Sequence, residues 1–142
     1  IIDYAVNANK AAAEQKQIHL DIQISNNLAK VLADSEKTAW VVTNLLSNAI
    51  RYSYENSTVI VKVENENEKI KFSIIDSGQG IQTQFLTKIF DRYFRIPGTK
   101  KDGTGLGLNI SKEFIEAQGG EIKVESEYGV GSTFYFELPS TV

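Results

Sequence analysis

Three groups of residues have the types and spacing to do chemistry. The first is Gly103-Thr104-Gly105-Leu106-Gly107-Leu108, where alternating glycines run into an apolar, helix-like segment from Leu108 to Gln118. Glycine has no Cβ and tolerates positive φ, so a backbone built this way can approach a ligand closely. The helix behind it would offer unpaired N–H groups and a positive dipole end to a phosphate. Taken alone, the stretch also fits a flexible turn that starts a helix. The second group is Asn44, Asn48, Arg51 and Tyr52, which fall together on one stripe of a helix. Asparagine is a poor helix former, so two of them one turn apart call for a reason. The third is Asp76-Ser77-Gly78-Gln79-Gly80, a carboxylate where a strand ends in a glycine turn. By itself that pattern is an ordinary turn signal.

Three common glycine-loop chemistries fail on the surrounding residues. A dinucleotide-binding fingerprint needs a buried strand just before its glycines, and Arg95 to Asp102 is not one. A Walker A loop needs Lys then Ser or Thr after its last glycine, whereas Gly107 is followed by Leu108 and Asn109. Neither the Val-Ala-Ile-Lys nor the His-Arg-Asp element of protein kinases is present.

Periodicity gives the elements that must position these groups. Residues 1–16 predict a helix, with Ile2, Ala5, Val6, Ala8 and Ala12 at helical spacing. Ile18, Leu20, Ile22 and Ile24 then alternate with polar residues, which predicts a half-buried strand. Asn26-Asn27 signals a turn, and Val31-Leu32-Ala33 is a candidate short strand. Asp34 or Ser35 can cap a long helix to about Tyr52, whose apolar face is Ala39, Val42, Leu45, Leu46, Ala49 and Ile50. Trp40, on the asparagine stripe, reads as a packing residue. Thr58 to Glu64 and Lys69 to Asp76 predict a hairpin linked by the polar Asn65 to Glu68. Phe85 to Phe94 reads as short helical pieces carrying aromatics, and Arg95 to Asp102 as a mobile loop with little to bury. A third helix follows the glycines and stops at Gly119-Gly120. Glu121 to Ser126 and Ser132 to Leu138 form the last strand pair. The expectation is one α+β domain, a two-layer α/β sandwich. Its mixed, mostly antiparallel sheet of about five strands has three helices over one face.

Composition narrows the classes. A net charge of −3 with 23% charged residues argues against a nucleic-acid surface. No apolar run approaches the roughly 20 residues of a membrane span, and no signal peptide opens the chain. With no cysteine, disulfides and thiolate chemistry are excluded, which fits a reducing compartment. With no methionine, the sequence reads as a processed product or a piece cut from something larger.

Asn44-Leu-Leu-Ser-Asn48-Ala-Ile-Arg51-Tyr52, Asp76-Ser-Gly78-Gln-Gly80, Phe90-Asp-Arg-Tyr-Phe94-Arg95 and Gly103-Thr-Gly105-Leu-Gly107-Leu come in this order. They resemble the N, G1, F and G2 boxes of the catalytic, ATP-binding domain of two-component sensor histidine kinases, of the GHKL group of ATP-binding folds. Gly129-Val-Gly131-Ser-Thr133-Phe resembles the family's closing glycine motif, so the resemblance covers essentially the whole chain.

The resemblance implies ATP and Mg²⁺ as cofactors. It makes Asn48 the metal residue, a neutral amide oxygen suited to a Mg²⁺ that keeps waters and phosphate oxygens, with Asn44 in support. Asp76 would accept the exocyclic N–H of adenine, and Gly78 and Gly80 would let the ring pack close, with Ile81 beside them. Arg51 stands where the family usually has Lys, and with Arg95 it would meet phosphate; for Arg95 an exposed surface charge is the other reading. Tyr52 would lie beside the nucleotide and Gly103 to Leu108 over its phosphates, and Thr133 of the closing motif would also contact the nucleotide; Lys100 and Lys101 are weaker candidates. Phe90, Tyr93 and Phe94 fit either as core anchors or as contacts to another domain.

Gyrase, mismatch-repair and chaperone ATPases of the same group place a Glu one turn before the metal Asn as general base. Here that position is Asn44, which cannot take a proton, so hydrolysis should be slow and transfer to a positioned acceptor is favoured. The acceptor is not in this sequence: the single histidine, His19, lies in the polar register of the first strand without the family's Ser-His-Glu pattern. The implied partners are ATP/ADP, a histidine-bearing dimerisation domain of the same protein and, indirectly, a response regulator. Nucleic acid and direct membrane contact are not expected of this segment. The implied location is the cytoplasmic part of a membrane-bound sensor kinase. The alternatives are a GHKL-type serine protein kinase of the anti-sigma class and a docking module without activity.

Overall fold

The computed structural model describes residues 1–26, 28, 33–94 and 107–140. The candidate strand at Val31-Leu32, the loop from Arg95 to Asp102 and Gly103 to Leu106 lie outside the described residues.

Helix α1 spans Ile2–Gln15, β1 His19–Ile24, α2 Ser35–Tyr52, β2 Thr58–Glu66, β3 Lys69–Asp76, α3 Gly107–Glu116, β4 Glu121–Glu127 and β5 Gly131–Pro139. A single 3₁₀ turn covers Thr83–Phe85. The strands form one sheet in the order β1-β2-β3-β5-β4. Among the described strands only β1 and β2 pair in parallel; a parallel pair needs a crossover, and α2 supplies it. The other pairs are antiparallel.

Local chemistry sets the element ends. The Asp34 carboxylate accepts the Lys37 N–H at 3.0 Å and caps α2. The β2–β3 link shortens to Asn67-Glu68 because β2 runs on to Glu66, and Asn67 takes φ of 59°. Helix α3 ends where Gly119 adopts φ of 82° and the Gly120 N–H reaches back to the Ile115 carbonyl at 3.0 Å.

The core lies between the helices and one face of the sheet. Val59, Val61 and Val63 of β2 alternate inward, as do Ile70, Phe72 and Ile74 of β3. Phe72 stacks on Phe136 across the β3–β5 pair at 4.7 Å. From α2, Val41, Val42, Leu45, Leu46, Ala49 and Ile50 close the layer.

Two expectations need correction. In α1 the buried positions are Ala5, Asn9 and Ala13, while Ala8 and Ala12 face solvent. A polar residue on the inner stripe shifts the face: the Asn9 amide donates to the Ala5 carbonyl at 3.0 Å and the Thr43 carbonyl at 3.2 Å, pinning α1 to α2. In β1 the apolar alternation of the sequence is not matched by burial: Asp21 is half-buried like Leu20, and the strand is exposed from Ile22 on. Ile18 is 7% exposed, Leu20 is half-buried, and Ile22 and Ile24 are 38% and 49% exposed at the sheet's margin.

Candidate functional site

A cleft with apolar walls opens where the second half of α2 meets the ends of β3 and β5 and the start of α3. It encloses about 520 Å³, open mouth included. Asn48, Ala49 and Tyr52 line it from α2, Asp76 with Gln79 to Ile81 from the end of β3, Ile89 from the aromatic segment, Leu108 from α3, and Ser132 and Phe134 from β5. An apolar enclosure with a few fixed polar groups is what a small-molecule site needs.

Asp76 is the charged group in this wall. It is the last residue of β3 and is 9% exposed. Its Oδ1 accepts the Gly78 N–H at 2.9 Å, and a second backbone N–H comes from Ser132. Burial raises the carboxyl's pKa above its ordinary value, and the two N–H bonds partly offset that rise. The outcome is a carboxylate held in one orientation at the cleft wall, able to accept a hydrogen bond from a ligand's N–H.

The glycines after Asp76 act differently from the expectation that they leave room for a ring. A Cβ on Gly78 would strike the Tyr52 carbonyl at the end of α2. Gly80, at φ of 74°, would drive a Cβ into the Glu127 carbonyl and Tyr128. Their bareness lets the Asp76 loop, the end of α2 and the β4–β5 turn meet backbone to backbone. Gly80 also lines the cleft.

The asparagine stripe divides. Asn48 faces the cleft, whereas the Asn44 amide lies 3.4 Å from the Ser111 hydroxyl and beside Gly107, holding α2 to the first turn of α3. Arg51 is half-buried on the last turn of α2, outside the residues that wall the cleft, while Tyr52 is one of them. Thr133 is corrected: strand alternation turns it to the uncovered face, and its neighbours Ser132 and Phe134 face the cleft. Gly107 and Leu108 are the first residues of α3, and Leu108 reaches the cleft. Arg95, Lys100, Lys101, Gly103, Thr104, Gly105 and Leu106 lie outside the described residues.

Of the aromatics, Phe90 packs edge-on to Phe134 at 6.3 Å and Phe94 lies 5.9 Å from Phe85, so both are anchors. Tyr93 is 64% exposed at φ of 64°. Trp40 packs edge-on to Phe114 at 5.4 Å, with its other side open. His19 is exposed at the start of β1.

Sequence reasoning passed over Ser126, Ser132 and Asn109. The Ser126 hydroxyl accepts the Ile81 N–H at 2.7 Å, lies 2.8 Å from the Ser132 hydroxyl and bonds the Gly131 carbonyl at 3.0 Å, tying the Asp76 loop to the closing hairpin. The signal was two serines in the inward register shared with Ile122, Val124, Phe134 and Phe136. Asn109 donates to the Phe90 carbonyl at 3.0 Å and fastens α3 to the aromatic segment.

The family described as histidine kinase-, DNA gyrase B- and HSP90-like ATPase matches residues 33–142. The sensor histidine kinase ZraS of Escherichia coli strain K12 is 33% identical over 142 residues, covering 100% of this chain and 30% of its own length. The adaptive-response sensory kinase SasA of Gloeothece citriformis is 37% identical over 128 residues, covering 89% of this chain and 33% of its own length. The chain thus spans about a third of the length of these relatives. Among solved structures, the nucleotide-free catalytic domain of histidine kinase ThkA superposes with a TM-score of 0.86 at 31% identity, over 98% of this chain and 90% of that one. Full-length ShkA in complex with AMPPNP gives a TM-score of 0.85 at 28% identity, over 96% of this chain and 28% of that one. Sequence and fold thus agree that the chain belongs to the histidine kinase-, DNA gyrase B- and HSP90-like ATPase family, as the catalytic, ATP-binding domain of a sensor histidine kinase.

Proposed function

We propose that this domain binds Mg-ATP in the Asp76 cleft and donates the γ-phosphoryl group to a histidine on a separate dimerisation domain of the same protein. The observation that carries this reading is the buried, backbone-held Asp76 carboxylate in an apolar wall beside Tyr52 and Asn48. The carboxylate accepts the adenine amino group and turns away guanine, whose carbonyl at that position offers no proton. Among the described residues no cluster of three His, Cys, Asp or Glu can hold a metal. The amide oxygen of Asn48 is the donor that fits a Mg²⁺ taking its other oxygens from phosphates and water. Such an ion would supply charge neutralisation for phosphoryl transfer.

The chain's own residues bind and orient. Asp76 fixes the base, Tyr52 and Ile81 flank it, and Asn48 and Leu108 meet the phosphates at the start of α3. No carboxylate occupies the position one turn before Asn48, where Asn44 is engaged with Ser111. Without a base at that position water is poorly activated, and transfer depends on positioning an acceptor. The reading puts the domain in the cytoplasm, with a response regulator downstream.

Titration calorimetry of Mg-ATP against Mg-GTP tests it. Binding of ATP with much weaker GTP binding, and loss of Mg-dependent affinity in Asn48→Ala, are expected. Equal affinities, or no ATP binding, would refute the proposal and favour a docking module. Acid-stable label on a serine would favour a serine kinase.

A further inference from the structure

The last turn of α2 carries Asn48, Arg51 and Tyr52, and a helix end leaves its final carbonyls without intrahelical donors. Here a side chain from another helix meets them. Lys16, just past the end of α1, points its ammonium at the carbonyls of Ile50 at 2.9 Å, Arg51 at 3.1 Å and Ser53 at 2.6 Å. The Lys16 carbonyl in turn accepts the Asn56 N–H at 3.0 Å, so this one residue grips the connection from α2 to β2 on both sides. The carbonyl between those of Arg51 and Ser53 belongs to Tyr52, and it rests against Gly78, whose N–H orients the Asp76 carboxylate. A continuous run of contacts therefore leads from Lys16 through the end of α2 to Asp76, although Lys16 itself does not line the cleft.

We infer that Lys16 is a positioning residue for nucleotide recognition: by holding the last turn of α2 it sets Tyr52 and, through the Tyr52 carbonyl and Gly78, the orientation of Asp76. A cation at a helix C-terminus satisfies orphan carbonyls and complements the negative end of the dipole, and both effects act on the turn that faces the cleft. Bonds from a charged donor are stronger than neutral ones, so three to one ammonium make a stiff clamp.

The inference rests on the proposed binding of ATP in this cleft, and its test separates the two. Lys16→Met keeps the aliphatic stem and removes every donor; Lys16→Gln keeps a shorter amide donor; Lys16→Arg keeps the charge. Mg-ATP affinity is measured by calorimetry, and amide hydrogen exchange is followed at residues 50–53 and 78 in the absence of nucleotide. Lys16→Met is expected to weaken Mg-ATP binding about fivefold, the scale of one lost positioning bond. Lys16→Arg should stay within about twofold of the parent and Lys16→Gln between them. Exchange at residues 50–53 and 78 should quicken in Lys16→Met while that of β3 and β5 is unchanged. Parent-like affinity and exchange in Lys16→Met would overturn the inference, and so would faster exchange spread evenly over the domain. If the parent protein failed to bind Mg-ATP, the functional reading would fall, and the exchange pattern would still decide whether Lys16 holds the Asp76 loop. Should Lys16→Met fail to fold, the comparison of Lys16→Gln with Lys16→Arg decides by the same criteria.

Discussion

Burial pushes the Asp76 carboxyl above the ordinary carboxylate value of 3.8, and the N–H groups of Gly78 and Ser132 pull it part of the way back. Between 3.8 and the raised value, the folded protein keeps a proton that the unfolded chain gives up. The contribution of Asp76 to stability therefore falls as pH rises through that window and is level above it. Urea unfolding at a series of pH values should show this descending component in the parent protein and not in Asp76→Asn, the difference between the two isolating the one group. Ligand binding follows the opposite sign: the acceptor is the ionised form, so ATP affinity should drop as pH falls through the same window. At neutral pH, Asp76→Asn should weaken ATP binding by roughly 1–2 kcal/mol, about tenfold, because an amide replaces part of the acceptor with a donor. Calorimetry on both proteins measures it, and equal affinities would remove Asp76 from adenine recognition.

At the scale of elements, the site is a junction of four segment ends: the last turn of α2, the loop after β3, the start of β5 and the start of α3. Gly78 is where two of them touch, so Gly78→Ala must push the Tyr52 carbonyl away from the loop. Overpacking of this kind should cost roughly 1–3 kcal/mol of stability and disturb Asp76, seen as a lower denaturation midpoint together with weaker ATP binding. How far this was legible differs by element. The period of 3.6 gives α2, capped by Asp34 of the two candidates Asp34 and Ser35, and the period of 2 gives β2 and β3 with the inward faces observed, because one-sided burial writes itself into apolar spacing. Asp76 and Asn48 are site candidates through the resemblance, since a strand-end carboxylate and a helix asparagine alone fit ordinary turn and surface roles; both line the cleft. Other features depend on tertiary neighbours that spacing does not encode. The limited cover over β1 reflects where the helix layer stops, and Asn9 faces inward because a carbonyl of α2 awaits it. Thr133 was assigned through a motif without regard to alternation, which turns its side chain away. The resemblance gives Gly78 and Gly80 as room for a ring, whereas both make room for neighbouring backbone and Gly80 alone of the two also lines the cleft.

Among the described residues, three helices and a five-stranded sheet form the layers, and the cleft lies where α2, the end of β3, the start of β5 and the start of α3 meet. A donor site placed at such a junction can be presented to an acceptor on another domain. Among the described residues no helix is long and apolar enough to cross a membrane. The histidine of this sequence is exposed on β1, in a strand rather than on a helix with the family's Ser-His-Glu pattern. The domain by itself should therefore bind Mg-ATP while releasing phosphate slowly, and Asn44→Glu, which removes the amide donor to Ser111 and supplies a carboxylate one turn before Asn48, should raise steady-state phosphate release. The central claim is tested most directly by incubating the domain with γ-labelled Mg-ATP and a separate, histidine-bearing dimerisation domain of a sensor kinase, then treating the product with acid. The account predicts label on the helical partner that is lost in acid and stable in base, and none when the partner's histidine is replaced; acid-stable label on serine, or no transfer despite tight ATP binding, would contradict it.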